Sequence, residues 1–250
     1  MSKRILVTGA CGGIGTSIVK ELSRNDYTVI ATDHPNAETN NNINEYAESY
    51  VPIDFLELYE NKSLQEKFKN DVCRNNQTLY GIVHNAAIQK LAPFNKLSMD
   101  DWEKTIKINL LSPILISKIF LPELKISRGS IVHIGSIHSD LTKPNFSCYA
   151  TSKAALSGIT KAMSVELGEY IRINSIEPAA IGTKMLEEGF LENPKLRVKL
   201  DECHPSKRIG TPSDISRAIL FLMDPCNSFI NGCQFKIGGG IHNVLHDPGA

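Results

Sequence analysis

Short apolar runs alternate with amphipathic stretches from the start of the chain. Arg4–Thr8 reads as a buried strand and Ile14–Ser23 as a helix. Strands are expected at Thr28–Thr32 and Tyr50–Ile53, and Asn61–Cys73 sets Leu64, Phe68 and Val72 on one helical face. Leu79–Val83 reads as a fourth strand. Asp100–Leu124 carries Trp102, Ile106 and Leu110 at helical intervals, and Pro113 inside it predicts a bend or break. A fifth strand at Ser130–Ile134, a helix at Tyr149–Leu167 and a sixth strand at Ile171–Ile176 follow. Pro212–Met223 reads as a helix with Thr211 as its N-cap, and Gln234–Ile237 as a seventh strand.

Strands separated by helices imply right-handed βαβ units and a parallel sheet covered on both faces, an α/β fold. No internal repeat or linker interrupts the pattern, and the Asn40-Asn41-Asn42 patch falls in a loop. Lys184–Ile209 breaks the alternation, with Gly189, Pro194 and Pro205 in a charged stretch. It reads as an irregular lid.

Composition narrows the classes. The 250 residues suit one domain or two, and 42% hydrophobic with 22% charged residues supports a normal core. Lys+Arg and Asp+Glu are 27 each, so the net charge is zero, which argues against a nucleic-acid binder. No stretch approaches the ~18–20 apolar residues of a membrane span. The run Ile5-Leu6-Val7 is too short for a signal peptide, and a cytoplasmic location is expected. Six scattered cysteines without a C-x-x-C pair predict no metal or redox site. The N-x-S/T triplets at Asn61, Asn76 and Asn145 carry no weight without secretion.

The first strand runs into Thr8-Gly9-Ala10-Cys11-Gly12-Gly13-Ile14-Gly15, and a helix follows. Gly9 permits a tight turn, Gly13 lets backbone approach a pyrophosphate, and Gly15 allows close helix–strand packing. The helix N-terminus then offers unpaired N–H groups to phosphates. Asp33 ends the second strand, about twenty residues on, where a carboxylate accepts from ribose hydroxyls and repels a 2′-phosphate. Nothing basic sits at Cys11, Gly12 or His34, so NAD is favoured over NADP. The alternative for Asp33 is a turn residue before Pro35.

Tyr149 and Lys153 share one face of a helix. A lysine cation beside a phenol lowers its pKa and makes a general acid/base, although such a pair is also common on surfaces. Ser136 lies past the fifth strand, as a substrate ligand or a turn residue. Asn109, amid apolar neighbours, either satisfies backbone groups or holds a water.

These residues, in this order, resemble the short-chain dehydrogenase/reductase family over nearly the whole chain. Thr8-Gly9-x-x-x-Gly13-x-Gly15 is similar to its cofactor loop, and Asn85-Ala86-Ala87 to its Asn-Asn-Ala-Gly motif, with His84 for the first Asn and Ala87 for the Gly. Asp54 matches the adenine-contacting aspartate. Asn109, Ser136, Tyr149 and Lys153 match the four catalytic positions. Asn174-x-x-x-Pro178 and Thr183 match the nicotinamide cradle. Lys207–Pro212 and Gly239-Gly240 resemble the C-terminal signature.

The resemblance implies a Rossmann domain spanning residues 1–250, with strand order 3-2-1-4-5-6-7 and residues 184–209 as lid. It implies alcohol–ketone interconversion with a nicotinamide cofactor. Tyr149 is then the acid/base, Ser136 orients the substrate oxygen, Lys153 lowers the tyrosine pKa and binds ribose, and Asn109 holds a relay water. Gly9, Gly12, Gly13, Ile14, Gly15, Asp33, Asp54, Asn85, Ala86, Tyr149, Lys153, Pro178, Ile181 and Thr183 are the expected cofactor contacts. Ser136, His138 and Tyr149 are the expected substrate contacts, and a homotetramer or homodimer is implied.

Three departures stand out. Ala179 replaces the glycine after Pro178, Gly238 stands where an aspartate is common, and Glu177 is an unusual strand-end charge, read as solvated or as a pocket contact. Gln89, Lys90, Ile137, His138, Phe146 and Ala180 are further pocket candidates; of these His138, Gln89 and Lys90 favour a small polar substrate, while Met185 and Phe190 in the lid suit an apolar one. His138 reads as a wall residue rather than a second base. Two other readings compete: a catalytically silent NAD-binding sensor or scaffold, and a nucleotide-sugar epimerase or dehydratase, which the short length disfavours.

Overall fold

Seven apolar runs pair into one parallel sheet of order β3-β2-β1-β4-β5-β6-β7. The strands are β1 Lys3–Thr8, β2 Tyr27–Thr32, β3 Ser49–Tyr50, β4 Gly81–His84, β5 Ser130–Ile134, β6 Arg172–Pro178 and β7 Gln234–Ile237. The computed structural model describes residues 2–39, 41–74, 77–188, 190 and 194–245. Asn40, Asn76 and Gly189, singled out above, lie outside the described residues, as does the Met185 side chain.

Alternate side chains of each strand enter opposite layers, the period-2 rule for a sheet covered on both faces. Ile5, Val7 and Val132 pack under α1 (Gly13–Ser23) with Ile215, Ile219 and Leu222. Leu6, Ile82 and Ile131 meet the opposite layer, which contains Phe68, Ile116, Phe120 and Leu124. β1 lies between β2 and β4, so the chain reverses direction across the sheet there. In such sheets the crevice at the strands' carboxyl ends is the binding place.

The remaining helices are α2 (Asn41–Tyr46), α3 (Phe55–Glu60), α4 (Lys62–Val72), α5 (Met99–Ile106), α6 (Ser112–Ile119), α7 (Leu121–Ser127), α8 (Ser147–Leu167), α9 (Lys184–Glu188), α10 (Pro194–Cys203) and α11 (Pro212–Met223). Thr211 caps α11 as expected, in a reciprocal box with Asp214.

Four expectations need correction. Asn41 and Asn42 open α2 rather than lying in a loop. The third strand ends at Tyr50 rather than Ile53: Val51 N still donates to Ala31 O and Ile53 N to Asp33 O, while Val51 O accepts from the Thr32 hydroxyl, and Pro52 is tolerated because its missing N–H faces the free edge of the sheet. Pro113 does not break its helix. Lys107–Leu111 forms a π turn immediately before it, and Pro113 falls in the first turn of α6, where its missing N–H costs nothing. The bend, 61°, comes at Phe120. The segment after Lys184 is not irregular, since α9 and α10 occupy it. Arg197 joins them, with Nε 3.0 Å from Glu187 and Nη1 2.9 Å from Asp201. Gly182 N–H donates to Gly210 O and Gly210 N–H to Ala180 O, which closes the segment's base.

All six cysteines are free thiols. Among the described residues no single helix is long and apolar enough to cross a membrane.

Candidate active site

The glycine loop is built by close backbone approach. Gly9 adopts φ +63°, and a Cβ there would meet Ala86 Cα at 2.7 Å. A Cβ on Gly15 would lie 2.0 Å from Gly9 O, so the first turn of α1 rests on the loop itself. Gly12 caps α1 without a side-chain acceptor, and no carboxylate occupies the first turn. The helix N-terminus therefore presents its dipole and backbone donors to an anion. Across the cleft stands Thr183, whose Cγ2 would be 3.0 Å from a Cβ on Gly13. Asn85 clamps the loop from β4, donating to Gly9 O at 2.8 Å and Thr8 O at 3.2 Å. This backbone-lined slot, which side chains would fill, fits a dinucleotide pyrophosphate.

Asp33 follows β2 and accepts from Cys11 N and His34 N, each at 2.8 Å. Asp54 caps α3 through Leu56 N and lies 3.5 Å from His34 Nε2. Pro178 closes β6, and Ile181 is buried where it bridges to Gly210.

At the other end of the cleft, α8 brings Tyr149 and Lys153 together. Lys153 is 2% exposed, and its Nζ donates to Ile134 O at 2.7 Å. Burial pulls its pKa down to about 8. The ammonium sits 5.7 Å from the Tyr149 ring centre. Burial raises the Tyr149 pKa, and a hydrogen bond with Ser136 opposes that rise. Ser136 Oγ accepts from His138 N at 3.2 Å.

Asn109 lies in the π turn. Its Oδ1 accepts from Ile88 N at 2.9 Å, and its Nδ2 donates to Ile88 O at 2.9 Å and Ser152 Oγ at 3.0 Å. Both amide hydrogens are committed, so the side chain satisfies backbone and hydroxyl groups. His138 stacks on Phe146 at 4.2 Å and meets Tyr149 edge-on at 5.9 Å. Its Nδ1 pairs with Thr142 Oγ1 at 3.1 Å. Burial, then the Lys143 cation, lowers its pKa to about 4, so it is a neutral wall residue at ordinary pH. Lys90 points to Asp101 on α5, at 3.2 Å.

Glu177 corrects the solvated reading. It is 1% exposed and accepts from Ser157 Oγ at 2.5 Å, joining β6 to α8 two turns beyond Tyr149. The other two departures compensate each other. A Cβ on Gly238 would lie 2.9 Å from Ala179 Cβ and 2.6 Å from the His242 ring. The methyl gained at 179 and the side chain lost at 238 share one space, which His242 also fills.

One feature escaped the sequence reading. His84 and His133, register partners on β4 and β5, stack at 5.2 Å with their rings 24° apart. His84 Nε2 pairs with Ser117 Oγ and His133 Nδ1 with Thr160 Oγ1. Burial holds both rings neutral, and for His133 the Lys153 cation adds to the effect. Histidine in two strands gave a signal only once their register was known.

A protein-family model described as enoyl-(acyl carrier protein) reductase matches residues 9–242. An uncharacterized oxidoreductase of Schizosaccharomyces pombe is 31% identical over 95% of this chain and 90% of its own length. The 3-oxoacyl-acyl carrier protein reductase of Buchnera aphidicola is 31% identical over 96% of this chain and 97% of its own. The aldohexose dehydrogenase of Thermoplasma acidophilum superposes with a TM-score of 0.89 at 26% identity, over 98% of this chain and 96% of that one.

Proposed function

Because this chain belongs to the short-chain dehydrogenase/reductase family of oxidoreductases, we propose that it interconverts a secondary alcohol and a ketone with NAD as the preferred cofactor. The observation that carries this reading is the convergence of Ser136, Tyr149 and Lys153 at the end of the glycine-lined cleft. When bound, the nicotinamide supplies or accepts the hydride. Tyr149 gives a proton to the substrate oxygen, or takes one from it. Ser136, its oxygen already accepting from His138 N, turns its own proton toward that oxygen. Lys153 is held by Ile134 O in position to bind ribose hydroxyls and steady the phenol. Asn109 acts through its main chain: with its amide committed, a carbonyl of the π turn holds the relay water.

Asp33, held by two backbone donors, supports NAD over NADP. Asp54, Asn85, Ala86, Pro178, Ile181 and Thr183 complete the cofactor site. Residues 1–250 act as one domain, in which α9 and α10 form the lid over residues 184–209. The neutral His138 ring supports a small polar substrate, and a structural neighbour is an aldohexose dehydrogenase. A panel of sugar alcohols, hydroxy acids and apolar alcohols, read by NADH absorbance, tests this. Turnover is expected on an oxygenated substrate. Turnover confined to apolar alcohols rejects the polar reading, and NAD binding with no turnover at all rejects the enzyme. A cytoplasmic location goes with this reading.

A homotetramer or homodimer is also proposed. Along the outer face of α8, Ala154 and Gly158 are exposed and Val165 is 85% exposed, as suits a helix that packs closely on a second copy. A Cβ on Gly158 meets nothing within 4 Å in the single chain. In an isolated chain Gly158→Ala adds about 0.5–1 kcal/mol through helix propensity. In the proposed assembly it lowers the melting midpoint and weakens association, which differential scanning and light scattering read together. A raised midpoint at unchanged mass removes this face as an interface.

A further inference from the structure

The sheet edge beside the glycine loop holds a group with no role so far. Tyr50 ends β3, next to Ala31 of β2. Its hydroxyl lies 3.9 Å from Cys11 Sγ, which donates to it, and 3.5 Å from His34 O. Cys11 is the loop residue whose N–H fixes Asp33 Oδ2. Phenol, thiol and carboxylate therefore form one continuous wall at the carboxyl end of β2.

We propose that Tyr50 is a second determinant of cofactor choice: with Cys11 it fills the space beyond Asp33 that a 2′-phosphate needs. The proposal rests on NAD preference and adds a residue to it. Asp33 excludes the phosphate by charge, whereas Tyr50 and Cys11 exclude it by volume and bring no cation to receive it. Burial, reinforced by the Cys11 contact, keeps the phenol protonated, so the wall carries no charge of its own. His34, whose carbonyl contacts the Tyr50 hydroxyl, turns its ring away. Its Nδ1 accepts from Asn36 N at 3.1 Å, which puts the ring proton on Nε2, facing Asp54 at 3.5 Å. Among the described residues, no lysine or arginine is hydrogen-bonded or ion-paired to Asp33, Tyr50 or His34. Removing Asp33 alone then takes away repulsion while leaving the space closed.

The test is fluorescence titration of NADH and NADPH at constant ionic strength, with no turnover needed. The unaltered protein is expected to bind NADH at least about tenfold more tightly than NADPH. Asp33→Ser is expected to weaken NADH about tenfold without strengthening NADPH more than about threefold. Adding Tyr50→Ser is expected to tighten NADPH by at least about tenfold over Asp33→Ser. Tyr50→Phe in the same background keeps the half-buried ring, guards against loss of folding, and is expected to give a smaller gain in the same direction. Asp33→Ser alone binding NADPH as tightly as the unaltered protein binds NADH overturns the proposal. So does a double variant that keeps its NADH binding but shows no NADPH gain. Unaltered protein that binds both cofactors equally removes NAD preference itself, before any variant is made.

Discussion

Replacing Tyr149 with phenylalanine is expected to lower kcat by about 10²–10⁴-fold, the usual contribution of a positioned proton donor. The ring remains, so its edge contacts with His138 and Phe146 persist, and only the hydroxyl is lost. NADH binding should therefore stay within about threefold, because the cofactor slot is built from backbone in the glycine loop. The pH profile separates loss of a proton donor from loss of packing. Burial lifts the Tyr149 phenol above its ordinary value, so its deprotonated form becomes more available as pH rises. Oxidation should quicken and reduction should slow with rising pH in the unaltered protein. In Tyr149→Phe the residual rate should lose that slope. Near-normal turnover, or an unchanged slope, would remove Tyr149 from its role.

Gly15→Ala is expected to damage both folding and cofactor binding. Its Cβ would stand 2.0 Å from Gly9 O and 2.8 Å from Ala10 Cα, so backbone must move. Overpacking of this kind costs about 1–3 kcal/mol, or roughly 2–10 °C in melting midpoint for a chain of this size. The displaced segment carries the N-terminus of α1, so NADH affinity should fall by more than about tenfold. Gly12→Ala is the matched control for stability. Its Cβ would meet Gly9 O at an ordinary 3.5 Å, and its midpoint should stay within about 2 °C. If Gly15→Ala melts with the unaltered protein and binds NADH normally, the loop does not pack as described.

The glycine loop and the Tyr149–Lys153 pair were legible in the chain because each depends on local geometry. A strand, a glycine turn and a helix lie consecutively, and residues four apart share a helical face. Asn109 was legible as a position, but its task was not. Whether its amide holds water or backbone depends on Ile88 and Ser152, distant in sequence and adjacent only after folding. Glu177 misled for the same reason. A carboxylate near a strand end looks solvated until Ser157 of α8 covers it. Pro113 misled because a π turn shifts where a missing N–H is felt.

By itself, then, the amino-acid order determined the alternation of strands and helices, the phosphate-binding turn and the spacing of the reactive side chains. These follow from hydrophobic period, steric freedom at glycine and helical pitch, all of which act within a few residues. Only the tertiary structure decided the surroundings of those side chains. It buried Tyr149 beside Ser136, stacked His84 on His133, fitted Ala179 against Gly238, and set Tyr50 beside Cys11. Burial and hydrogen bonding govern pKa and fit, and both are sums over neighbours that strand register and layer packing bring together from far along the chain.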